Sequence, residues 1–278
     1  MKKTARAAAG LLAAGAAAAA GWCLLLRPRR NQPGWDRLQG ARYAHRGLHD
    51  EKAGAPENSL AAFRRAAEAG FGAELDVHLM ADGALAVVHD SDLTRVCGKA
   101  GHIEALTAAE LKDYPLQGTA ETIPLLEEVL PLFAGRAPLI IELKAAGNDA
   151  ALTDRVMEAL ADYPGDYCVE SFYPGVLLRL KERWPQVLRG QLSQDFFRGS
   201  ETGTVSRPAA LVLTYLLSTC LTRPDFIAYR HEDRRNPSLR LMRWLYGVHE
   251  VGWTVRSQAD MEALEKDGVT VIFENFLP

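Results

Sequence analysis

The sequence has few cysteines and no motif that pairs them. Four cysteines occur in 278 residues, and no two of them form a CxxC pair. The spacing argues against a zinc knuckle and against a thioredoxin-like redox motif, so we expect reduced thiols. No GxGxxG turn follows any early apolar run, and its absence disfavours a dinucleotide-binding sheet.

Positive charge is scarce in most of the chain. The formal net charge is −3, but residues 1–30 hold six basic side chains and no acidic one. The other 248 residues carry 26 basic against 35 acidic side chains, a net charge of −9. Nucleic-acid-binding proteins have the opposite balance, so no nucleic-acid partner is expected. An acidic protein that acts on an anion needs a local source of positive charge, such as a metal ion.

An uninterrupted apolar run covers residues 7–26. Twenty helical residues span the hydrocarbon layer of about 30 Å, so residues 1–30 are predicted to form a single-pass transmembrane anchor. Residues 31–40 are then a linker. A cleaved signal peptide and a soluble helix are the alternatives. The signal peptide is disfavoured because the run ends at Leu24–Leu26 instead of a small-x-small cleavage site.

The basic residues on the two sides of this run are nearly balanced. Three precede it, and the four that follow are Arg27, Arg29, Arg30 and Arg37. The positive-inside rule therefore favours a cytoplasmic position of the residues after the run only slightly, and the membrane side stays open.

From residue 41 onward, short apolar runs alternate with amphipathic segments. The eight candidate strands are 41–45, 72–77, 138–143, 166–171, 187–191, 225–229, 248–254 and 269–274. Strands that alternate with helices predict a parallel sheet, and eight of them predict an α/β fold of the (β/α)8 TIM barrel class. A doubly wound open sheet is the alternative. Residues 78–137 are predicted to be a small insertion after the second strand, over the barrel mouth.

Three carboxylates lie on neighbouring predicted strands. Glu74 and Asp76 occupy alternate positions of one strand, so their side chains point to the same side. Glu142 lies near the end of the next strand, on the face where barrels carry active sites. Oxygen donors without cysteine or clustered histidine suit Ca²⁺ or Mg²⁺ better than zinc. The alternative for each acid alone is an ordinary salt bridge, with Lys144 as the partner.

Two histidines are candidates for proton transfer. His45 closes the first predicted strand, and His89 follows the apolar run 85–88. Histidine is the usual general acid or base near neutral pH, and Arg46 offers a planar fork to a phosphate. His78 shares the face of the strand carboxylates and is left undecided. The histidines assigned to structural positions are His49, His102, His231 and His249.

Several motifs in this order resemble the glycerophosphodiester phosphodiesterase family over residues 41–278. They are AHRG (44–47), PENSLAAF (56–63), ELDVHLMADGALAVVHD (74–90) and IELK (141–144), followed by SF (171–172), RPDF (223–226), WTV (253–255) and IFENF (272–276). The resemblance implies a TIM barrel with one divalent cation, Ca²⁺ or Mg²⁺. The positions that match its site are Glu74, Asp76 and Glu142 as metal ligands, His45 and His89 as catalytic residues, Arg46 and Lys144 as phosphate contacts, and Glu57 and Asn58 beside the metal. Trp253, on the seventh predicted strand, is added as a substrate-binding residue.

The sequence also departs from the family pattern. The last strand end commonly carries a Thr-Asp pair and here reads Glu274-Asn275, and Arg256 stands where asparagine often follows the WTV motif. Met80-Ala81 replaces the Thr-x that precedes Asp82-Gly83. None of these positions belongs to the implied metal or histidine set. They bear on the specificity for the alcohol and leave the reaction class unchanged.

The expected function is metal-dependent hydrolysis of a glycerophosphodiester to glycerol 3-phosphate and an alcohol. The alternative is a phospholipase-D-like hydrolysis of lysophospholipids or other membrane lipids, suggested by the predicted anchor and by the apolar stretch 209–221. A buried barrel helix is the simpler explanation of that stretch. A catalytically inactive barrel that serves as a scaffold is a third possibility, disfavoured by the intact histidines and carboxylates. No obligate protein partner is predicted.

Overall fold

The computed structural model describes residues 2–30, 34–145, 147–199 and 205–278, without the side chains of residues 2–12. The α helices in these ranges are α1 Lys2–Leu25, α2 Leu60–Glu68, α3 Thr94–Cys97, α4 Leu126–Phe133, α5 Asp149–Ala159, α6 Pro174–Arg183, α7 Arg207–Thr214, α8 Thr219–Thr222, α9 Pro237–Tyr246 and α10 Gln258–Lys266. The strands are β1 Arg42–His45, β2 Gly72–Leu79, β3 Leu85–Val87, β4 Leu139–Leu143, β5 Tyr167–Ser171, β6 Arg189–Ser193, β7 Phe226–Arg230, β8 His249–Val255 and β9 Thr270–Phe273.

Eight parallel strands close into a barrel, in the order β1, β2, β4, β5, β6, β7, β8, β9 and back to β1. The short strand β3 lies outside this order and pairs antiparallel with the end of β2, where Val77 faces Val87. The predicted (β/α)8 TIM barrel is therefore confirmed. Each of the eight predicted strands overlaps an observed one.

The outer helices pack on the barrel through narrow apolar stripes. In α2 the buried side chains are Ala62, Phe63, Ala66 and Ala67, which recur at the three-to-four-residue spacing of one helix face. The Ser59 side chain accepts a hydrogen bond from the Ala62 backbone N–H and caps the helix. The cap fixes where α2 begins, immediately after Glu57 and Asn58, and so places that pair beside the barrel mouth.

The predicted insertion is a compact unit at the end of β2. It contains β3, α3 and short 3-10 helices, including Ile103–Ala105 and Ala108–Asp113. Its own apolar core includes Leu93, Ile103 and Leu116. The apolar stretch 209–221, explained above as one buried barrel helix, differs from the structure, because it contributes to two helices, α7 and α8. Between them Leu216 adopts a left-handed backbone with φ 58° and buries its side chain completely.

The N-terminal segment is helical, but the transmembrane helix predicted within residues 1–30 is not found. In the described part of the chain, no helix has both the length and the apolar character needed to cross a membrane. The run consists mainly of alanine and glycine. The alanine side chain is a single methyl group and glycine has none, so the run carries little apolar surface, and the free energy of transfer out of water scales with that surface.

The end of α1 and the residues after it pack against the barrel. Leu26 is completely buried in a cluster with Leu216 and Ile227. The 3-10 helix Trp35–Arg37 follows, and the Trp35 ring stacks on His249 at 4.5 Å, at the start of β8. These contacts lie at the end of the barrel where the strands begin. Residues 31–33 of the predicted linker lie outside the described residues.

Candidate active site

Three buried carboxylates converge at the mouth of the barrel. Glu74 and Asp76 lie on β2, and the register of β2 and β4 sets Asp76 directly beside Glu142. Each residue offers one oxygen, and these oxygens lie within 4.8 Å of one another. A cluster of three buried oxygen donors matches the coordination that a hard divalent cation prefers. The structure therefore brings the three predicted metal ligands together.

Two cations of the protein partly neutralise this cluster. Lys144 Nζ lies 3.0 Å from Asp76 Oδ1 and 2.8 Å from Glu142 Oε1. Arg46 Nε lies 3.4 Å from Asp76 Oδ2, and Asn58 Nδ2 donates a hydrogen bond to the same oxygen at 2.9 Å. The salt-bridge partner suggested by the sequence is thus present. Lys144 touches only two of the three acids.

The pKa values of the three acids show that the nearby cations do not fully balance the negative charge of the cluster. Burial raises the pKa of Glu142 to about 7; Asp76 adds to this rise, and Lys144 opposes it. Burial and the charge of Asp76 also raise the pKa of Glu74. For Asp76, burial is outweighed by Lys144, His89 and Arg46, which hold its pKa well below the usual value. An additional positive charge would therefore stabilise the ionised forms of Glu74 and Glu142.

His45 stands beside the cluster at the end of β1. Its Nδ1 lies 2.5 Å from Glu274 Oε2, and its Nε2 lies 3.9 Å from Glu74 Oε2. A carboxylate only accepts hydrogen bonds, so the Nδ1–H is the donor and Nε2 faces the site. Burial lowers the pKa of His45 to about 4; Arg46 contributes, and Glu274 opposes the shift. The imidazole is therefore neutral at pH 7 and able to accept a proton.

His89 enters the site from the insertion. Its Nδ1 lies 2.6 Å from Asp90 Oδ1, which orients the ring, and burial lowers its pKa. The His89 backbone carbonyl accepts a hydrogen bond from His78 Nε2 at 3.2 Å. His78 Nδ1 in turn lies 2.7 Å from Glu104 Oε1. His78, which the sequence left undecided, thus supports the backbone of His89 from behind the site.

Arg95 is a site residue that sequence reasoning missed. It lies on the short helix α3 and contacts both Glu57 and Asp90. Glu57 also accepts a hydrogen bond from Arg46 Nη1 at 3.0 Å. Only the closeness of Arg95 to His89 in the chain could have drawn attention to it. Its reach toward Glu57 depends on the folding of the insertion.

These groups surround a cavity of about 320 Å³ at the ends of the strands. It is lined by the predicted residues His45, Arg46, Glu57, Glu74, His89, Glu142, Lys144 and Trp253. The lining also includes residues not proposed for the site from the sequence, namely Glu170, Phe172, Leu192, Arg256, Ile272 and Glu274. His49, which the sequence analysis assigned to a structural position, lines the cavity as well. Asp76 and Asn58 lie just beneath it, joined by their hydrogen bond.

Two of the departures from the family pattern, Arg256 and Glu274, meet beside His45. Arg256 Nε donates a hydrogen bond to Glu274 Oε1 at 2.7 Å, while the other Glu274 oxygen holds His45. The two changed positions therefore form one unit that orients a predicted catalytic imidazole. Arg256 and Glu274 therefore affect the orientation of His45 as well as the outer wall of the cavity.

Comparison with known proteins agrees with this geometry. A model described as the glycerophosphoryl diester phosphodiesterase family matches residues 45–277. The chain is 26% identical over 257 residues to a glycerophosphodiester phosphodiesterase of Bacillus subtilis (strain 168), an alignment that covers 84% of this chain and 82% of that protein. It is 30% identical over 273 residues to glycerophosphodiester phosphodiesterase 1 of Homo sapiens, covering 84% and 74%.

A solved structure shows the same arrangement of strands and helices. The crystal structure of a glycerophosphodiester phosphodiesterase from Thermotoga maritima superposes with a TM-score of 0.64 at 26% identity, covering 83% of this chain and 92% of that one. The match to the family model extends over most of the chain and includes the barrel and its cavity. The chain therefore belongs to the glycerophosphoryl diester phosphodiesterase family and is a phosphodiester hydrolase.

Proposed function

We propose that the chain hydrolyses glycerophosphodiesters to glycerol 3-phosphate and an alcohol, with His45 and His89 as its proton-transfer residues. The observation that carries this proposal is one cavity in which two imidazoles and two fixed cations surround a buried cluster of three carboxylates. The cations, Arg46 and Lys144, suit the charge of a phosphodiester, and the imidazoles suit the two proton transfers that its hydrolysis requires.

Glu74, Asp76 and Glu142 are the residues that would hold a divalent cation, Ca²⁺ or Mg²⁺. When bound, such an ion supplies positive charge to the phosphate oxygens and offsets the charge that develops during substitution at phosphorus. The Arg46 guanidinium offers paired donors to the same phosphate. Asn58 and Glu57 keep Asp76 and Arg46 in place through the hydrogen bonds described above.

His45 is the proposed base. It is neutral near pH 7, and Nε2 faces the cavity because Nδ1–H is bound to Glu274. It would take a proton from the nucleophile, which is water or the glycerol 2-hydroxyl. In the second case a cyclic phosphate forms first and is then opened by water. Glu274 would stabilise the imidazolium that results.

His89 is the proposed acid, and Asp90 holds its ring. It would protonate the alkoxide oxygen of the departing alcohol. The negative charge of a bound phosphodiester opposes the effect of burial and favours the protonated imidazole. Each proton transfer of this kind accelerates a reaction by about 10²–10⁴-fold.

A turnover screen tests the proposal. The purified chain is assayed with glycerophosphocholine, glycerophosphoethanolamine, glycerophosphoglycerol and glycerophosphoinositol, each with Ca²⁺ and with Mg²⁺. Release of glycerol 3-phosphate from at least one diester is expected. The matched control is Glu74→Gln protein purified in the same way, which should release none. Failure of every diester with both ions would refute the proposal.

The alternative, hydrolysis of lysophospholipids or other membrane lipid diesters, is not better supported. A side-by-side assay of lysophosphatidylcholine in mixed micelles and of glycerophosphocholine separates the two. Faster turnover of the lysolipid at equal concentration would reverse the assignment.

We also propose that the chain associates with a membrane surface. In support, Leu24 of α1, Leu221 of α8 and Trp244 of α9 have exposed side chains, and α1 packs against α8. Residues 1–30 also carry basic but no acidic side chains. Vesicles containing about one-third anionic lipid should carry the full chain upward in a flotation gradient. A chain lacking residues 1–21 should float less. Equal behaviour of the two chains would contradict this proposal.

A further inference from the structure

Glu170 is an acidic side chain on the wall of the cavity that the proposed chemistry does not use. It lies near the end of β5, beside Glu142 of β4 in the strand register. It is 1% exposed, yet its Oε2 has no hydrogen-bond partner among the described residues. It is not part of the cluster of oxygens within 4.8 Å that could hold a metal. A buried polar atom without a partner is costly, so a ligand that pairs with it gains affinity.

Trp253 carries a second unpaired polar atom on the wall of the same cavity. The residue is 8% exposed, and its indole Nε1 has no hydrogen-bond partner in the described part of the chain. Its ring contacts Phe172 edge-on, with 5.8 Å between ring centroids. Phe172 follows Glu170 by two residues, and both line the cavity. Glu170 and Trp253 therefore both flank one aromatic side chain.

The chemistry of these two atoms restricts the group that can pair with both. An indole N–H only donates a hydrogen bond, and the unpaired oxygen of the Glu170 carboxyl group can accept one. A hydroxyl group can accept from the indole and donate to that oxygen at once. A metal ion or a quaternary ammonium group cannot accept from the indole. The neighbouring side chains Phe172, Leu192 and Ile272 offer apolar surface to the carbon that bears the hydroxyl.

We infer that Glu170 and Trp253 together bind the terminal free hydroxyl of the substrate's glycerol group, the one farther from the phosphate. The inference rests on the proposed function, because Arg46 and Lys144 hold the phosphate and with it the nearer hydroxyl. The inference restricts the proposed substrates to diesters in which this terminal hydroxyl is free. Deacylated glycerophosphodiesters carry this hydroxyl. In a lysophospholipid acylated at the same oxygen, the hydroxyl proton is lost, and Glu170 and Trp253 would have to accommodate an acyl chain.

The test compares two diesters that differ only in this hydroxyl. Glycerophosphocholine has it, and the phosphocholine diester of propane-1,2-diol lacks it but keeps the hydroxyl next to the phosphate. With Ca²⁺ present, the wild-type ratio of kcat/KM for the two should be about 10 or more, because sites built around a hydroxyl reject analogues that lack it. The ratio should fall toward one in Glu170→Leu and in Trp253→Phe, which keeps the ring. Glu170→Gln, which can still hydrogen-bond, should retain more of the ratio than Glu170→Leu.

Calorimetric binding of the two product analogues, glycerol 3-phosphate and propane-1,2-diol phosphate, asks the same question without turnover. Equal binding and equal kcat/KM for both members of each pair in the wild type would overturn the inference. It would also be overturned if Glu170→Leu lowered activity on both diesters equally and weakened Ca²⁺ binding, because Glu170 would then serve the cation. Preferential binding of glycerol 3-phosphate without any hydrolysis would support the inference and refute the proposed function. Trp253→Phe keeps the test decisive if Glu170→Leu does not fold.

Discussion

Arg95 donates hydrogen bonds from two guanidinium nitrogens to the two carboxylate oxygens of Glu57, at 2.7 and 3.0 Å. Its third nitrogen, Nε, donates to Asp90 Oδ2 at 2.5 Å, and the other oxygen of Asp90 holds His89. Glu57 holds Arg46 in turn. A side chain that does not line the cavity therefore joins the proposed acid to the proposed phosphate-binding residue.

We expect Arg95→Lys to lower kcat by about 10–100-fold with a smaller change in KM. The reason is that Arg95 positions His89 and Arg46, whose interactions with the substrate are made in the transition state. An ammonium group is a point charge and cannot reproduce the planar fork that reaches two carboxylates. Steady-state kinetics on glycerophosphocholine measure the effect. The matched control is Arg179→Lys, which breaks a similar two-bond pair with Asp154 on the outer helices and should keep wild-type activity. Equal losses in the two variants would contradict a role in positioning.

Metal binding should depend on pH through Glu142. Its pKa of about 7 in the metal-free protein means that a proton competes with the cation below that pH. The apparent affinity for Ca²⁺ should therefore fall as pH drops below about 7, approaching tenfold per pH unit for one competing proton. Activity should be lost in excess chelator and restored by Ca²⁺ or Mg²⁺. Isothermal calorimetry at several pH values measures the affinity.

The same shift makes a prediction for stability. A carboxyl whose folded-state pKa is raised stabilises the fold below its unfolded pKa, and this contribution is lost as pH rises through about 7. In chelator, thermal unfolding should show Glu142→Gln gaining Tm relative to the wild type at pH 8 but not at pH 4.5. Ca²⁺ should raise the wild-type Tm more at pH 8 than at pH 5.5. A Ca²⁺ effect that is independent of pH would contradict the assignment of Glu142 as a ligand.

Two N-terminal truncations should differ in stability. Removal of residues 1–21 leaves the packed end of α1 intact. Removal of residues 1–30 also removes the buried Leu26 as well as Arg29, whose Nη1 lies 3.4 Å from Asp225 Oδ1. Loss of a buried leucine alone costs about 2–5 kcal/mol. The longer deletion should therefore lower Tm by several degrees, and Leu26→Ala in the full chain should reproduce much of that loss. Equal Tm values for the two truncations would show that these contacts contribute little.

The sequence predicted the barrel and the carboxylate cluster for a simple geometric reason. Alternate strand residues share a face, and parallel strands bring their ends to one side, so Glu74, Asp76 and Glu142 could be placed together without knowing any loop. Arg95 and Glu104 could not be placed in this way, because their contacts depend on how the insertion folds onto β2. Chain order alone does not define that arrangement.

Glu274 and the N-terminal helix show two other limits. Glu274 was noted only as a departure from a family pattern, and its contact with His45 follows from the closure of the barrel, which sets β9 beside β1. The apolar run in residues 7–26 was interpreted by its length, but alanine and glycine dominate it. The prediction weighed length and lack of charge more than side-chain size, and no helix of the described residues has the length and apolar character needed to cross a membrane.

The two proposed proton-transfer residues should respond differently to the leaving group. A choline or ethanolamine alkoxide leaves poorly and needs a proton in the transition state, whereas p-nitrophenolate leaves readily without one. His89→Ala should therefore lose about 10²–10⁴-fold in kcat on natural diesters and much less on a p-nitrophenyl diester. His45→Ala should lose activity on both, because activation of the nucleophile is needed in either case.

His49→Ala serves as the control for removal of an imidazole from the cavity wall, since His49 lies 3.8 Å from Glu274 and has neither proposed role. It should not change the ratio of the two activities. Equal losses of His45→Ala and His89→Ala on both substrates would refute the division of roles, and the opposite pattern would reverse it. Two observations support the stated order. Glu274 leaves Nε2 of a neutral His45 facing the site, and His89 belongs to the insertion that borders the cavity, where we expect the departing alcohol to leave.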